Sequence, residues 1–247
     1  MCLYPLIGFV RGGVGSMNYR PFAGLLFSAV VLFALFYVSI NSASELTSVP
    51  AIAEASDTVL IIDAGHGGAD GGAVSVTGKC ESEINLEIAQ RIKLFAEFLG
   101  YKPIMTRETD DIIYPDEADT IRKKKVADTR ARVELVNSCS GAFLVSVHQN
   151  KYTSASPSGA QVFFKGDCEE LAKEIQADFT QYVNSDGKRT VKPVASDIYL
   201  FAKTECPGLL VECGFLSNPD EAVKLETNEH QKLLTLIIMG NISNFLI

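Results

Sequence analysis

Short apolar runs rich in β-branched residues alternate with amphipathic stretches along most of this chain, and this alternation constrains its fold more than any other feature. Each run is too short for a typical buried helix and is bounded by polar or turn-forming residues. The runs predict six strands, at residues 58–63, 102–106, 142–147, 160–164, 197–201 and 209–213.

The stretches between these runs have the spacing of helices. Apolar residues recur every three or four positions in the first stretch, at Ile84, Ile88, Ile92, Phe95 and Leu99. Further helices are predicted at residues 121–138, 168–184 and 228–245. Strands that alternate with helices predict an α/β fold. We therefore expect a single domain over residues 57–247, with a mostly parallel twisted sheet flanked by helices.

The N-terminal region differs from the rest of the chain. Residues 21–40 contain no charged side chain, and a run of this length can cross a bilayer. Arg11 and Arg20 precede the run. The positive-inside rule then predicts a cytoplasmic segment 1–20, a transmembrane anchor or signal-anchor 21–40, a linker 41–56 and an extracytoplasmic domain. A cleaved signal peptide is the alternative, because small residues at 42–44 and 51–53 resemble cleavage sites.

The charge balance and the cysteines narrow the possible functions. The net charge of −8 makes nucleic acid an unfavourable partner. The six cysteines form no C-x-x-C pair and no zinc-finger spacing. They fit either disulfides of an exported domain or buried thiols, and the sequence leaves both readings open.

Three chemically useful side chains follow predicted strands. His66 comes after the first strand, His148 after the third, and Glu212 at the end of the last. Ligands of open α/β sheets bind at the carboxyl edge, so these residues are expected to meet there. His230 lies in the polar segment TNEHQK and is interpreted as a solvated histidine at a helix end.

Two histidines at one sheet edge suggest a metal site. Two imidazoles and one carboxylate leave an open position on a tetrahedral zinc ion. Glu81 and Glu83, at the start of the first helix, are equal candidates for the carboxylate. An acid in a first helical turn also stabilises the helix dipole without any metal, so a structural role remains open for either.

Several motifs occur in a characteristic order over about residues 58–246. They include D-A-G-H-G-G, E-S-E-I-N-L-E-I-A, S-V-H-Q-N and L-L-V-E-C-G-F-L-S-N-P. Their order and spacing resemble the zinc-dependent N-acetylmuramoyl-L-alanine amidases. The resemblance implies an α/β fold, one zinc ion and hydrolysis of the amide between the lactyl group of N-acetylmuramic acid and L-alanine in peptidoglycan.

The resemblance also assigns roles to individual residues. It implies that His66, Glu81 and His148 bind zinc, that Glu212 is catalytic, and that Glu83 is a surface acid. The family pattern is broken at three positions: Ala64 stands where proline is usual, Cys80 precedes the ligand glutamate, and Gln149 replaces a small residue. None of these changes removes a ligand.

Four basic residues match recurrent basic positions of the family. Arg107 and Arg132 are expected to form structural ion pairs with nearby acids. Arg189 and Lys192 are candidates for binding substrate carboxylates. The glycines after His66 are expected to leave room for a bulky glycan–peptide strand.

A compact domain behind an anchor is most similar to the germination-specific amidases of spore formers. That resemblance implies action on spore cortex, where removal of stem peptides precedes muramic-δ-lactam formation. It also implies a location in the cell envelope, such as the forespore intermembrane space, and control by a regulatory protein partner. Two other functions remain open: a zinc carboxypeptidase acting on wall peptides, and a non-catalytic peptidoglycan-binding protein.

Overall fold

Strands and helices alternate through the computed structural model, which describes residues 58–112, 114–184 and 188–246. The strands are β1 (Val59–Ala64), β2 (Ile104–Met105), β3 (Ala142–Asn150), β4 (Gln161–Lys165), β5 (Lys192–Pro193) and β6 (Gly208–Phe215). The helices are α1 (Glu81–Phe98), α2 (Ile121–Ser138), α3 (Glu169–Tyr182), α4 (Tyr199–Lys203), α5 (Pro219–Leu225) and α6 (Asn228–Phe245).

The strands form one sheet in the order β2-β1-β3-β6-β4-β5. Four neighbouring pairs are parallel, and only β4 and β6 are antiparallel. The carboxyl ends of β1, β3 and β6 therefore share one edge with the amino ends of β4 and β5. The prediction of a single α/β domain with a mostly parallel sheet flanked by helices is confirmed.

The sheet is buried on both faces. Ile62 and Val145 point into the larger core, which includes apolar side chains of α1, α3 and α6. Their neighbours Ile61 and Leu144 point into a smaller core that includes Val136 of α2. Successive strand residues face opposite sides, so helices on both faces require runs that are apolar throughout. The sequence of β1 and β3 has this property.

The prediction of a strand at residues 197–201 is wrong, because this segment forms helix α4. A short apolar run has no periodicity that separates a buried strand from a buried helical turn. Leu200 and Phe201 are both buried on the same side, in the smaller core, which a helix permits and a strand does not. The short strand β5 and helix α5 were not anticipated.

The predicted transmembrane segment 21–40 and linker 41–56 lie outside the described residues. Within the parts of the chain that are described, no helix combines the length and hydropathy needed to span a membrane. The same parts contain five cysteines, and all are free thiols.

Candidate metal centre

The carboxyl edge of the sheet brings the predicted site residues together. His66 follows β1, whose register continues through a hydrogen bond from the Gly65 amide to the Val147 carbonyl, 3.0 Å long. His148 in β3 pairs in register with Glu212 in β6. Glu81 reaches the same place because it is the first residue of α1, which starts above this edge.

The three candidate metal ligands form one cluster. Donor atoms of His66, Glu81 and His148 all lie within 4.8 Å of one another. His66 Nε2 is 3.4 Å from Glu81 Oε2, and the two imidazole rings meet edge to face at a centroid distance of 5.0 Å. Ligand atoms about 2.0–2.1 Å from a tetrahedral ion are themselves roughly 3.3 Å apart. The donor types and their spacing therefore fit a zinc ion.

The two acids of the first helical turn have different environments. Glu81 is 4% exposed and points into the cluster. Glu83 is exposed, and its Oε2 accepts a hydrogen bond of 2.9 Å from the Cys80 amide, which caps α1. Only Glu81 is placed to share a metal with the histidines.

Glu81 is held ionised although it is buried. Burial disfavours its charge, but hydrogen bonds and the positive potential of His148 and His66 outweigh burial and lower its pKa. Its Oε1 accepts hydrogen bonds of 3.1 Å from His148 Nδ1 and from the Gln149 amide. Its Oε2 accepts one of 3.0 Å from the Ala73 amide. A fixed, charged carboxylate is suited to bind a cation.

The backbone and side chain of His66 are both constrained. His66 is the only non-glycine residue with positive φ in the described chain, at 59°. Such a conformation costs energy and is maintained by surrounding contacts. Its Nδ1 lies 2.9 Å from Asp70 Oδ2, and Arg132 donates a 2.6 Å bond to its carbonyl. A carboxylate on the outer ring nitrogen orients an imidazole toward a metal.

Arg132 is a structural residue, as predicted. It is 5% exposed and pairs with Asp63 at 2.9 Å and with Asp128 at 2.7 Å. Arg107 also pairs with an acid, Asp110 at 3.5 Å, but mainly donates to backbone carbonyls, including those of Ala64 and Gly65. Both arginines hold the segment that leads into His66.

The glycines closest to the ligands make room for the protein's own side chains, and the expectation that those after His66 leave space for substrate stays a prediction. A Cβ on Gly65 would lie 2.2 Å from His148 Nε2. A Cβ on Gly72 would lie 2.7 Å from Glu81 Oε2 and 2.8 Å from His66 Cδ2. The glycines thus permit the three ligands to converge.

Glu212 is the fourth side chain of this edge. Its Oε2 is buried and has no hydrogen-bond partner in the described chain. Burial raises its pKa, with a further contribution from Glu81, while His148 and His66 oppose the shift. No arginine pairs with Glu212 among the described residues, so the structure gives no support for a role of Glu212 in an ion pair. A carboxyl group without such a partner can exchange a proton.

The remaining candidates lie away from the cluster. Arg189 donates a 2.7 Å bond to the Ser158 carbonyl, and its guanidinium lies 4.5 Å from the centre of the Phe215 ring. Lys192 is exposed in β5. Both nevertheless flank the sheet edge that carries the cluster. Gln161 pairs with Glu212 in the sheet, and its side chain donates a hydrogen bond to the carbonyl of Thr190, which lies between Arg189 and Lys192 in the sequence. His230 lies in the first turn of α6 and is half-buried, less solvated than expected.

Three residues that support the ligands were missed. Asn85 follows Glu81 by four positions, which puts both on one helix face, so helical spacing could have identified it. Gln149 was noted only as a departure from the family pattern. Asp70 lies in an irregular loop, where no periodicity relates it to His66.

Comparison with known proteins identifies the family of this chain. A model of the N-acetylmuramoyl-L-alanine amidase family matches residues 60–244. The germination-specific N-acetylmuramoyl-L-alanine amidase of Bacillus subtilis is 35% identical over 195 residues, which cover 77% of this chain and 81% of that protein. The chain therefore belongs to the N-acetylmuramoyl-L-alanine amidase family.

Solved structures give the same result. The CwlD amidase from Clostridioides difficile, solved in complex with the GerS lipoprotein, is 34% identical with a TM-score of 0.71, covering 76% of this chain and 98% of that one. The amidase Ami1 from Mycobacterium smegmatis shares the fold, with a TM-score of 0.61, 20% identity and coverage of 76% and 96%. This chain is thus a peptidoglycan amidase, similar to the germination-specific amidases, that cleaves between N-acetylmuramic acid and L-alanine.

Proposed function

We propose that this amidase is zinc-dependent and that His66, Glu81 and His148 hold the metal. The observation that carries the proposal is the convergence of their donor atoms within 4.8 Å beside Glu212, whose buried Oε2 has no hydrogen-bond partner in the described residues. Bound zinc supplies Lewis-acid chemistry: it polarises a carbonyl and makes water acidic enough to attack near neutral pH.

Glu212 is proposed as the general base and acid of the reaction. An amide is a poor electrophile, and its nitrogen leaves only when protonated. Glu212 would accept a proton from the attacking water and deliver it to the nitrogen of L-alanine as the carbon–nitrogen bond breaks. Its raised pKa suits both halves of this transfer, because it keeps the protonated form accessible.

Replacement of Glu212 by glutamine tests this role. The variant should keep its fold and its zinc content and lose roughly 10²- to 10⁴-fold in turnover, the usual contribution of a positioned acid–base group. Zinc content, melting temperature and amide cleavage are measured on one preparation. A stable, zinc-loaded variant with near-normal turnover would refute the assignment.

The metal ligands are tested by comparing alanine variants of the proposed ligands with alanine variants of an acid and a histidine outside the cluster. Alanine at His66, Glu81 or His148 should lower zinc content and activity together. Alanine at Glu83 or His230 should change neither, because these residues lie outside the cluster. Full zinc content in Glu81→Ala combined with zinc loss in Glu83→Ala would reverse the choice between the acids.

The reaction is tested by digesting purified muropeptides and analysing the products by mass spectrometry. The expected products are free peptides that begin with L-alanine and peptide-free glycan. Release of a C-terminal amino acid instead would indicate a carboxypeptidase.

Arg189 and Lys192 are proposed to bind carboxylates of the stem peptide, since they flank the catalytic edge. Their alanine variants should raise KM and leave zinc content unchanged.

The biological setting is proposed from the relatives. We place the enzyme in spore cortex maturation, anchored to a membrane by residues 21–40 with its catalytic domain outside the cytoplasm. A regulatory protein partner is proposed, and the CwlD relative, which was solved in complex with the GerS lipoprotein, supports a partner of this kind. Expression in a spore former that lacks its germination-specific amidase should restore muramic-δ-lactam. A C-terminal reporter fusion should be exported and remain with membranes; a shortened soluble product would indicate a cleaved signal.

A further inference from the structure

Gln149 lies directly behind the candidate metal centre and takes no part in the proposed chemistry. Its side chain is 4% exposed. The amide nitrogen Nε2 donates a 3.1 Å hydrogen bond to Asn85 Oδ1. The amide oxygen Oε1 has no hydrogen-bond partner in the described part of the chain. The carboxamide is thus attached to the metal centre through its donor, and it also lies against the buried thiol of Cys213.

Asn85 connects two of the proposed metal ligands. It is completely buried, and its Nδ2 donates 3.0 Å to the Gly65 carbonyl, next to His66. The same nitrogen lies 3.5 Å from Glu81 Oε1. The amide of Asn85 therefore holds the loop that carries one ligand and touches the carboxylate of another.

The bond from Gln149 determines which way the Asn85 amide faces. Oxygen and nitrogen of an amide are distinguished by their hydrogen-bond partners. With Oδ1 occupied by the Gln149 donor, the NH₂ group of Asn85 must face the Gly65 carbonyl and Glu81. The reversed amide would direct its oxygen at two other oxygens. Loss of the donor would leave Oδ1 buried and unpaired, which is unfavourable.

An apolar side chain of similar size would avoid one unfavourable feature of Gln149. Burial of an amide oxygen without a partner costs free energy, and methionine or leucine would bury no such atom. The bond from Nε2 to Asn85 is the main contact that offsets this cost, since the other polar neighbour of the side chain, the buried thiol of Cys213, forms only weak hydrogen bonds. The position is therefore better explained by its contact with Asn85 than by packing.

We propose that Gln149 is a positioning residue for the metal centre. It fixes the orientation of Asn85, and through Asn85 it holds Glu81 and the Gly65–His66 segment in the metal-binding arrangement. This inference rests on the proposed zinc dependence and adds a determinant of metal affinity that is not itself a metal ligand.

The test compares two buried glutamines replaced by methionine. Gln149→Met keeps the volume and removes the donor. Gln231→Met is the matched control, because Gln231 is 1% exposed and its Nε2 donates 2.8 Å bonds to Glu87 and to the Leu225 carbonyl. Zinc affinity is measured by competition with a chelator, and the melting temperature of the zinc-free protein is measured in parallel. Gln149→Met should bind zinc about 10- to 100-fold more weakly, the usual effect of removing an outer-shell partner.

The control separates positioning from general destabilisation. Gln231→Met should lower the melting temperature and leave zinc affinity unchanged. Equal zinc affinity in Gln149→Met and wild type would overturn the proposal. If Gln149→Met does not fold, Gln149→Asn serves, since its shorter side chain moves the donor away from Asn85 without removing the amide. Wild-type protein that binds no zinc would refute the proposed metal dependence itself, which is a different outcome.

A double-mutant cycle tests the route through Asn85. Asn85→Leu and Gln149→Met should each weaken zinc binding, and the double variant should lose little more than Asn85→Leu alone. Multiplicative losses would show that Gln149 acts independently of Asn85 and would contradict the mechanism proposed here.

Discussion

Replacement of Arg132 by methionine should destabilise the domain strongly, although the residue lies outside the ligand cluster. Methionine fills part of the space and removes the charge. The guanidinium binds two acids, Asp63 and Asp128, and the carbonyls of Ala64 and His66. Asp63 is 1% exposed, so the variant leaves a carboxylate in the protein interior whose remaining hydrogen-bond donors, among the described residues, are the hydroxyls of Thr106 and Ser146.

The expected magnitude follows from this geometry. Breaking a buried ion pair by removing one partner costs about 3–5 kcal/mol. A domain of this size loses roughly 2–4 °C of melting temperature per kcal/mol, so a fall of about 6–20 °C is expected. Zinc affinity should fall as well, because the strained backbone of His66 loses a contact that holds it.

The assay is urea denaturation and thermal unfolding of the zinc-free protein. Arg132→Met, Asp63→Asn and the double variant are compared with wild type. Asp63→Asn removes the buried charge, so the double variant should be more stable than the sum of the two single losses predicts. A loss below about 1 kcal/mol in Arg132→Met, the typical value of an exposed pair, would refute the reasoning.

Three further predictions concern sterics, metal orientation and pH. Gly65→Ala should weaken zinc binding and lower the free energy of unfolding by about 1–3 kcal/mol, because its Cβ would displace the His148 ring. Gly240→Ala is the control: a Cβ there meets open space on a helix, so the same unfolding assay should show a stabilisation of roughly 1 kcal/mol. Asp70→Ala should weaken zinc binding about 10-fold by chelator competition, because it orients His66. For Asp63, burial opposes ionisation but Arg132 and neighbouring donors lower its pKa below 3.8. Its stabilisation is therefore complete above pH 3.8 and is lost at lower pH, so the difference in melting temperature between wild type and Asp63→Asn should shrink below pH 3.8.

Local patterns in the sequence were sufficient to predict the α/β class and the mostly parallel sheet. The runs at β1 and β3 are apolar on both faces, which only a sheet covered on both sides satisfies, and the stripe from Ile84 to Leu99 identifies α1. Residues after strand ends meet at one edge in any such sheet, and for this reason His66, His148 and Glu212 were found from position alone. Periodicity could not separate strand from helix at residues 197–201, where packing of Leu200 and Phe201 determines the outcome.

The choice between Glu81 and Glu83 required more than spacing, since the two acids stand in the same helical turn. The tertiary structure separates them: one faces the sheet edge and the other caps the helix. The same holds for the contacts that support the ligands. Asp70 bonds His66 within an irregular loop, and Gln149 meets Asn85 across 64 residues of sequence. Such contacts depend on how a strand, a helix and a loop pack together, and no local pattern of side chains encodes that packing.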